Sequence, residues 1–155
     1  MVDDNLNYQK CEKDNKLETV IKTVGVVVLS QDKNKVLLVK HTQLAEHETD
    51  TFGLPAGRLE INEDNESAAI RELEEETGLK VKSEDLIKLP TIHRAQIQRK
   101  TGIKNFELVS FLCKSYNGEI RASSENIPIW VEIKELDEIR LLPNVKSIVE
   151  EAVSN

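Results

Sequence analysis

Glu72, Glu75 and Glu76 stand at positions i, i+3 and i+4 of the chain. At about 3.6 residues per turn an α-helix carries such residues on one face, so the three carboxylates would converge within reach of one another. Like charges at that spacing weaken an isolated helix, and the pattern therefore points to a cation held between them. Hard divalent ions take oxygen ligands, and Mg2+ in particular is usually bound by a few carboxylates, waters and substrate phosphates. Arg71, adjacent to Glu72, is placed to orient that carboxylate by a charge-assisted hydrogen bond. The acids are also concentrated here. From Gly57 to Leu79 eight acids oppose two bases, whereas the other 132 residues hold 20 acids and 19 bases, so nearly all of the net charge of −7 lies in one 23-residue segment.

A helix must position these groups. Asp64 can cap it, Glu66 occupies the first turn where the helix dipole favours an acid, and Gly78 follows Thr77 where a left-handed C-terminal residue belongs. Ala69, Ile70 and Leu73 form its packing stripe, which leaves Glu72, Glu75 and Glu76 expected on the other side. Before the helix, the β-branched run Thr19–Leu29 and Val36–Lys40 read as a pair of strands joined by the polar turn Ser30–Lys35, followed by a loop over 42–51 and a short extended segment at Phe52–Pro55. After it, Leu86–Ile97, Phe106–Cys113 and Ile129–Ile133 read as strands, and Val145–Val153 as a second helix started at Pro143-Asn144. Residues 1–16 read as a polar N-terminal tail, mobile or held loosely at an edge, and 17–155 as a single domain.

At 155 residues, 39 % hydrophobic and 32 % charged, the chain can bury a real core, which excludes disordered and fibrous classes. The acidic balance argues against a protein that holds nucleic acid by its phosphates. Cys11 and Cys113 form no metal or redox spacing and suggest two reduced thiols in a cytoplasmic setting. Asp3 and Asp4 stand where a secretory signal would place lysines, and no apolar run approaches the roughly 20 residues of a membrane span, so neither a signal peptide nor a membrane partner is expected.

Written out, Gly57-Arg58-Leu59-Glu60-Ile61-Asn62-Glu63, then seven residues, then Arg71-Glu72-Leu73-Glu74-Glu75-Glu76-Thr77-Gly78-Leu79 resembles the Nudix box, G-x5-E-x7-R-E-U-x-E-E-x-G-U with U aliphatic, at every specified position. The flanking strands, the lead-in Leu54-Pro55-Ala56-Gly57 and the Glu125 to Trp130 stretch extend the resemblance over about residues 19–153. It implies an α/β fold, a mixed β-sheet between helices in an α/β/α sandwich. It also implies hydrolysis of a nucleoside diphosphate linked to a further group X, with Mg2+ or Mn2+ as cofactor and a small nucleotide as partner. Dimerisation through sheet edges or the N-terminal extension is common among such proteins, and the oligomeric state stays open.

By the same resemblance Glu72, Glu75 and Glu76 would bind metal, with the Ala56 carbonyl as a further ligand. Glu63 would tie the Gly57 loop to the helix or reach the metal through water. The general base would be Glu72 or Glu125, with Glu119 behind them. Lys40, His41, Arg58, Arg94 and Arg99 are the candidates for phosphate contacts. His47 and His93 are expected as ordinary surface or strand residues, Glu74 as a solvated acid, and Trp130 as core rather than as a platform for a base. The Leu54–Gly57 lead-in resembles that of ADP-ribose and nucleoside-diphosphate-sugar hydrolases. A nucleoside triphosphate pyrophosphohydrolase is the alternative, and a non-catalytic nucleotide-sensing Nudix domain or an acidic interaction helix are the readings outside enzymology.

Overall fold

The computed structural model of the chain describes residues 8–13 and 16–155, with side chains from residue 19 onward. In chain order the strands are β1 (Tyr8–Lys13), β2 (Lys16–Val28), β3 (Lys35–His41), β4 (Phe52–Gly53), β5 (Ala56–Arg58), β6 (Leu86–Arg99), β7 (Gly102–Cys113) and β8 (Asn126–Glu132). Helix α1 (Asn65–Thr77) follows β5, and α2 (Val145–Val153) follows β8.

The β-branched run of β2 forms the centre because both of its faces are covered. Val24, Val26 and Val28 pack with Ala68, Ala69 and Leu73 of α1, while Val27 packs with Val145, Ile148, Val149 and Ala152 of α2. Successive strand residues point to opposite faces, so the part of a strand lying between two helices must be apolar at every position, and Val24–Val28 is. β2 runs parallel to β7, from Ile21 opposite Phe106 to Val28 opposite Cys113, and β6 pairs antiparallel with β7. Together with β1 and β5 these make a mixed five-stranded sheet, and a second sheet of order β4-β3-β8 lies beside it. The molecule is thus an α/β fold with mixed sheet between two helices.

One expectation fails. The Ser30–Lys35 turn forms, but β2 and β3 are not a strand pair: after a single bridge, Leu29 to Val36, they part into different sheets. The reason is that both edges of β2 are already taken, one by β7 and the other by β1 and β5 in succession. β3 therefore pairs with β4 and β8.

Of the expected N-terminal tail, residues 1–7, 14 and 15 lie outside the described residues, while the backbone of 8–13 pairs antiparallel with β2 as an edge strand. The side chain of Cys11 also lies outside them. Cys113 is a free, buried thiol whose burial pushes its pKa up to about 11, which makes it a core residue rather than a nucleophile. Trp130 is half-buried against the core on the α1 side. Among the described residues no helix is long and apolar enough to cross a membrane.

Candidate functional site

Helix α1 starts and stops where the residues dictate. The Asp64 side chain accepts a hydrogen bond from the Ser67 amide at 2.7 Å, and Gly78 ends the helix with φ 86°, its N–H donating to the Glu74 carbonyl. Between these caps the helix is packed on more of its surface than its apolar stripe suggests. Glu72 is 9 % exposed, as buried as the core residues around it. The expectation that Glu72, Glu75 and Glu76 share an outward side therefore holds only for Glu75, whose side chain is 56 % exposed.

The element that covers the helix is β5. It is fixed by antiparallel pairing with β2, Val24 opposite Gly57 and Gly25 opposite Ala56. A Cβ on Gly57 would lie 2.1–2.3 Å from the carboxyl atoms of Glu72, so glycine is required here for a close approach and not for a special backbone angle. One residue earlier, the Ala56 amide donates to Oε1 of Glu76 at 2.6 Å, and the Asn126 side chain donates to Oε2 at 3.4 Å. Asn126 had no motif to betray it; it reaches Glu76 only because β8 closes over the end of the helix.

Arg71 holds the acids in place. Its Nε and Nη2 donate to the two oxygens of Glu63 at 2.8 Å each, Nη2 also to the Arg58 carbonyl at 2.9 Å, and Nη1 to Glu72 at 2.7 Å and Glu75 at 3.2 Å. Glu60 completes the cluster at 3.2 Å. Planar, bidentate pairing of this kind suits arginine and not lysine. Glu63 thus ties the loop to the helix, one of its two expected roles, and Arg71 touches carboxylates and a carbonyl.

The charges respond accordingly. Hydrogen bonds from Arg71 hold Glu63 below the usual carboxylate range. Burial pushes Glu72 up to about 7 against the opposing pull of Arg71, with Glu75 and Glu63 adding to the rise. Burial raises Glu76 well above the ordinary value against the Ala56 amide, with Glu72, Glu75 and Glu125 reinforcing it. Two carboxyls pushed toward their neutral forms by burial and by each other are a strained arrangement that a divalent cation would relieve. Among the described residues no three His, Cys, Asp or Glu side chains already converge as a ligand set. The donor chemistry nevertheless fits a hard cation: every group is an oxygen, and the Glu75 carboxylate is exposed and held only by the longer Arg71 contact.

Part of this cluster lines a cavity of about 410 Å³. Ala56, Gly57, Arg58, Glu72, Glu76 and Glu125 are among its lining residues. The cavity continues over Thr23, the inward residues of β6 and β7, the loop between β3 and β4, and Leu142–Val145.

Of the expected phosphate contacts, His41, Arg58 and Arg99 line the cavity and Lys40 and Arg94 do not. Strand alternation explains both exclusions. His93, Ala95 and Ile97 face the cavity, so Arg94 between them faces away, where it is 74 % exposed and meets Glu107 at 3.6 Å. Lys40 precedes His41 and points instead to Asp50 at 3.6 Å and the Phe52 ring. His41 lines the cavity but not as a cation: burial first, then Arg99 and Lys100, lower its pKa to about 4. Glu119 lies at the far end of α1 beside Gly78 and is not part of the cavity, which leaves Glu72 and Glu125 as candidate bases. Trp130 does not line it either. His47 and His93, expected as ordinary residues, do line it, as does Phe106. The period-2 pattern of β6 carried the signal for His93; nothing local in the 42–51 loop marked His47.

The sequence comparisons agree with this geometry. The model of the NUDIX domain matches residues 20–152. Nudix hydrolase 6 of Arabidopsis thaliana is 31 % identical over 115 residues, 72 % of this chain and 39 % of that protein. A MutT-like protein of Streptomyces ambofaciens is 28 % identical over 119 residues, 76 % of this chain and 67 % of that one. The chain therefore spans about two fifths to two thirds of the length of these relatives. The crystal structure of the MutT protein from Methanosarcina mazei Go1 superposes with a TM-score of 0.71 at 18 % identity, covering 88 % of this chain and 95 % of that one, which shows the same fold. With the full box on α1 and its lead-in loop and the family match extending over both sheets and both helices, the chain belongs to the NUDIX domain family.

Proposed function

We propose that the chain is a divalent-metal-dependent pyrophosphohydrolase that cleaves the pyrophosphate bond of a nucleoside diphosphate linked to another group. The observation that carries this reading is the placement of Glu72, Glu76 and Glu125 with Arg58 in one cavity that also has apolar wall from Leu54, Ala95, Ile97, Phe106, Leu108 and Leu142. The charged groups suit a metal-bound diphosphate, and the apolar wall suits the uncharged parts of a nucleotide.

Glu72, Glu75 and Glu76, with the Ala56 carbonyl, would hold Mg2+ or Mn2+. When bound, the ion offsets phosphate charge and lowers the pKa of coordinated water. Arg71 positions Glu72 and Glu75 and keeps Glu63 fixed to the Arg58 loop, so the carboxylates meet substrate already oriented. Arg58 contributes cationic charge where the phosphates would lie. Glu125 accepts the proton of the attacking water, because its carboxylate is exposed at the cavity rim, whereas Glu72 is clamped between Arg71 and Gly57. Attack on phosphorus then proceeds in line, with the severed phosphate as leaving group.

ADP-ribose or another nucleoside-diphosphate sugar is the substrate to test first, supported by the Leu54-Pro55-Ala56-Gly57 lead-in. The experiment is a panel of ADP-ribose, sugar nucleotides, dinucleoside polyphosphates and nucleoside triphosphates with Mg2+ and with Mn2+, monitored for nucleoside monophosphate release. Turnover that is highest on ADP-ribose or a sugar nucleotide, and reduced about 100-fold or more by Glu76→Gln, is the expected result. Turnover highest on a triphosphate would transfer the assignment to the triphosphate-cleaving class, and unchanged turnover in Glu76→Gln would remove the metal assignment.

A further inference from the structure

Ala45, Glu46 and His47, which line the cavity, belong to the loop over 42–51. The loop's own sequence gives it little to hold it down. Of its two aliphatic residues Leu44 is 69 % exposed, and Ala45, though buried, is small. Fixing a loop costs conformational entropy that contacts must offset, and apolar burial supplies little of that here.

Polar contacts supply it at three places. At the start of the loop the Thr42 amide donates to the Glu125 carbonyl at 3.0 Å, and Thr42 Oγ1 donates to the Ser124 carbonyl at 2.6 Å. At its finish the His41 amide donates to the Thr51 carbonyl at 2.9 Å. The middle is held by the turn between β6 and β7. Lys100 Nζ donates to the carbonyls of Gln43 at 2.7 Å and Ala45 at 3.0 Å, the Lys100 amide donates to the Glu46 carbonyl at 3.2 Å, and Arg99 Nη2 meets the Glu46 carboxylate at 2.8 Å. The two cations differ in place: Arg99 is buried and lines the cavity, whereas Lys100 is exposed and does not line it. An ammonium has three donors and no acceptor, so one side chain satisfies two loop carbonyls at once, and each such bond is stronger than a neutral one.

We infer that Lys100 is a positioning residue: from outside the cavity its ammonium staples the middle of the 42–51 loop to the β6–β7 turn and so sets the wall that Ala45, Glu46 and His47 present to substrate. This deepens the proposed function and rests on its placing of substrate in this cavity. The hydrogen bonds of Lys100 go to the loop and not to the acid cluster of α1 or to Glu125. The Glu125 backbone is held at the root of the loop, by Thr42 and by the pairing of His41 with Asn126. Release of the middle therefore weakens substrate and transition state alike, which raises KM and leaves kcat.

Three variants test this. Lys100→Met keeps the stem and removes the donors and the charge, Lys100→Arg keeps both, and Lys134→Met removes one charge from an exposed lysine elsewhere. Hydrogen exchange of peptides spanning 42–47 is followed by mass spectrometry without metal or nucleotide, and KM and kcat are measured on the most rapidly hydrolysed member of the Mg2+ panel. Lys100→Met should speed exchange over 42–47 by about tenfold with peptides of α1 unchanged, and raise KM by about tenfold with kcat within a few-fold. Lys100→Arg should recover most of both, and Lys134→Met should alter neither. In the unsubstituted protein labelled with 15N, the Lys100 ammonium should exchange protons with water more slowly than that of Lys134, which decides the staple if Lys100→Met does not fold. Unchanged exchange over 42–47 in Lys100→Met, a KM that does not rise, a fall in kcat as large as the rise in KM, or a Lys100 ammonium as fast as that of Lys134 would each overturn the inference. A chain that hydrolyses nothing on the Mg2+ panel while its loop exchange responds as expected would overturn the proposed function and leave the staple standing.

Discussion

The carboxylates and the histidines that line the cavity are opposite in chemistry and alike in cause. Burial raises Glu72 and Glu76 toward their neutral acids, and it lowers His41 to about 4 and His47 to about 3, toward their neutral bases. Desolvation penalises whichever form is charged, so a carboxyl and an imidazole placed in the same cavity move in opposite directions. What differs is the partner. The carboxylates have Arg71 threaded through Glu63, Glu72 and Glu75, whereas the histidines have cations acting on them, Arg99 on both rings with Lys100 on His41 and Arg58 on His47, that push the imidazoles further from charge.

The largest effect expected is at the acid rim. Glu125→Gln should lower kcat by about 10²–10⁴, the usual contribution of a general base, while Mg2+ still raises the melting temperature. A kcat within a few-fold of the unsubstituted value would return the role of base to Glu72. Gly57→Ala comes next. Its Cβ must displace the Glu72 carboxyl, and a loss of about 10–100-fold in activity is expected, of the size seen when a residue orienting a metal ligand is changed. Full activity there would mean that the position of Glu72 matters little.

Divalent ion should stabilise the protein by about 2.7 kcal/mol at a concentration one hundred times its Kd, a rise in Tm on the order of 5–10 °C. Indifference of Tm to millimolar Mg2+ and Mn2+ would break the contrast between carboxylates and histidines, since the carboxylates would then be no cation site. The pH dependence of stability sharpens the same contrast. His41 and His47 are held below their ordinary value of 6.5, so the unfolded chain binds more protons between that value and about 4, and stability falls as pH drops through this window. Glu72, raised to about 7, has the opposite sign and costs stability as pH rises from about 4.5 to 7. Denaturant melts of His41→Gln against the unsubstituted protein, from pH 7 to pH 4 without metal, should show a shallower acid loss in the variant; identical slopes would remove His41 from the account.

The smallest effect belongs to the two cations that face outward. Lys40→Ala and Arg94→Ala break solvent-exposed ion pairs and should change stability by less than about 1 kcal/mol and turnover by no more than a few-fold. A loss of about 100-fold in either would place that side chain back on the phosphate.

Much of this was legible before any coordinates. The caps Asp64 and Gly78, the box from Gly57 to Leu79 and the run of β2 are local patterns, in which each residue type answers to its near neighbours along the chain, and all appear where they were read. The failures have a common character. β2 and β3 looked like a pair because a polar turn joins them, but which strand fills an edge is decided by segments far away in sequence, here β7 and β5. Lys40 and Arg94 are cations next in sequence to cavity residues, and strand parity, fixed by pairing, turns them outward.

The sequence by itself determined the acidic helix, its ends, and the chemistry that four glutamates and an arginine can perform, because helical spacing and charge are properties of a short stretch. Only the tertiary structure decided that Glu72 is buried beneath Gly57, that Asn126 reaches Glu76, and that three histidines from two strands and a loop meet in one cavity. Burial and convergence depend on what other segments cover, and no stretch of sequence carries that information alone.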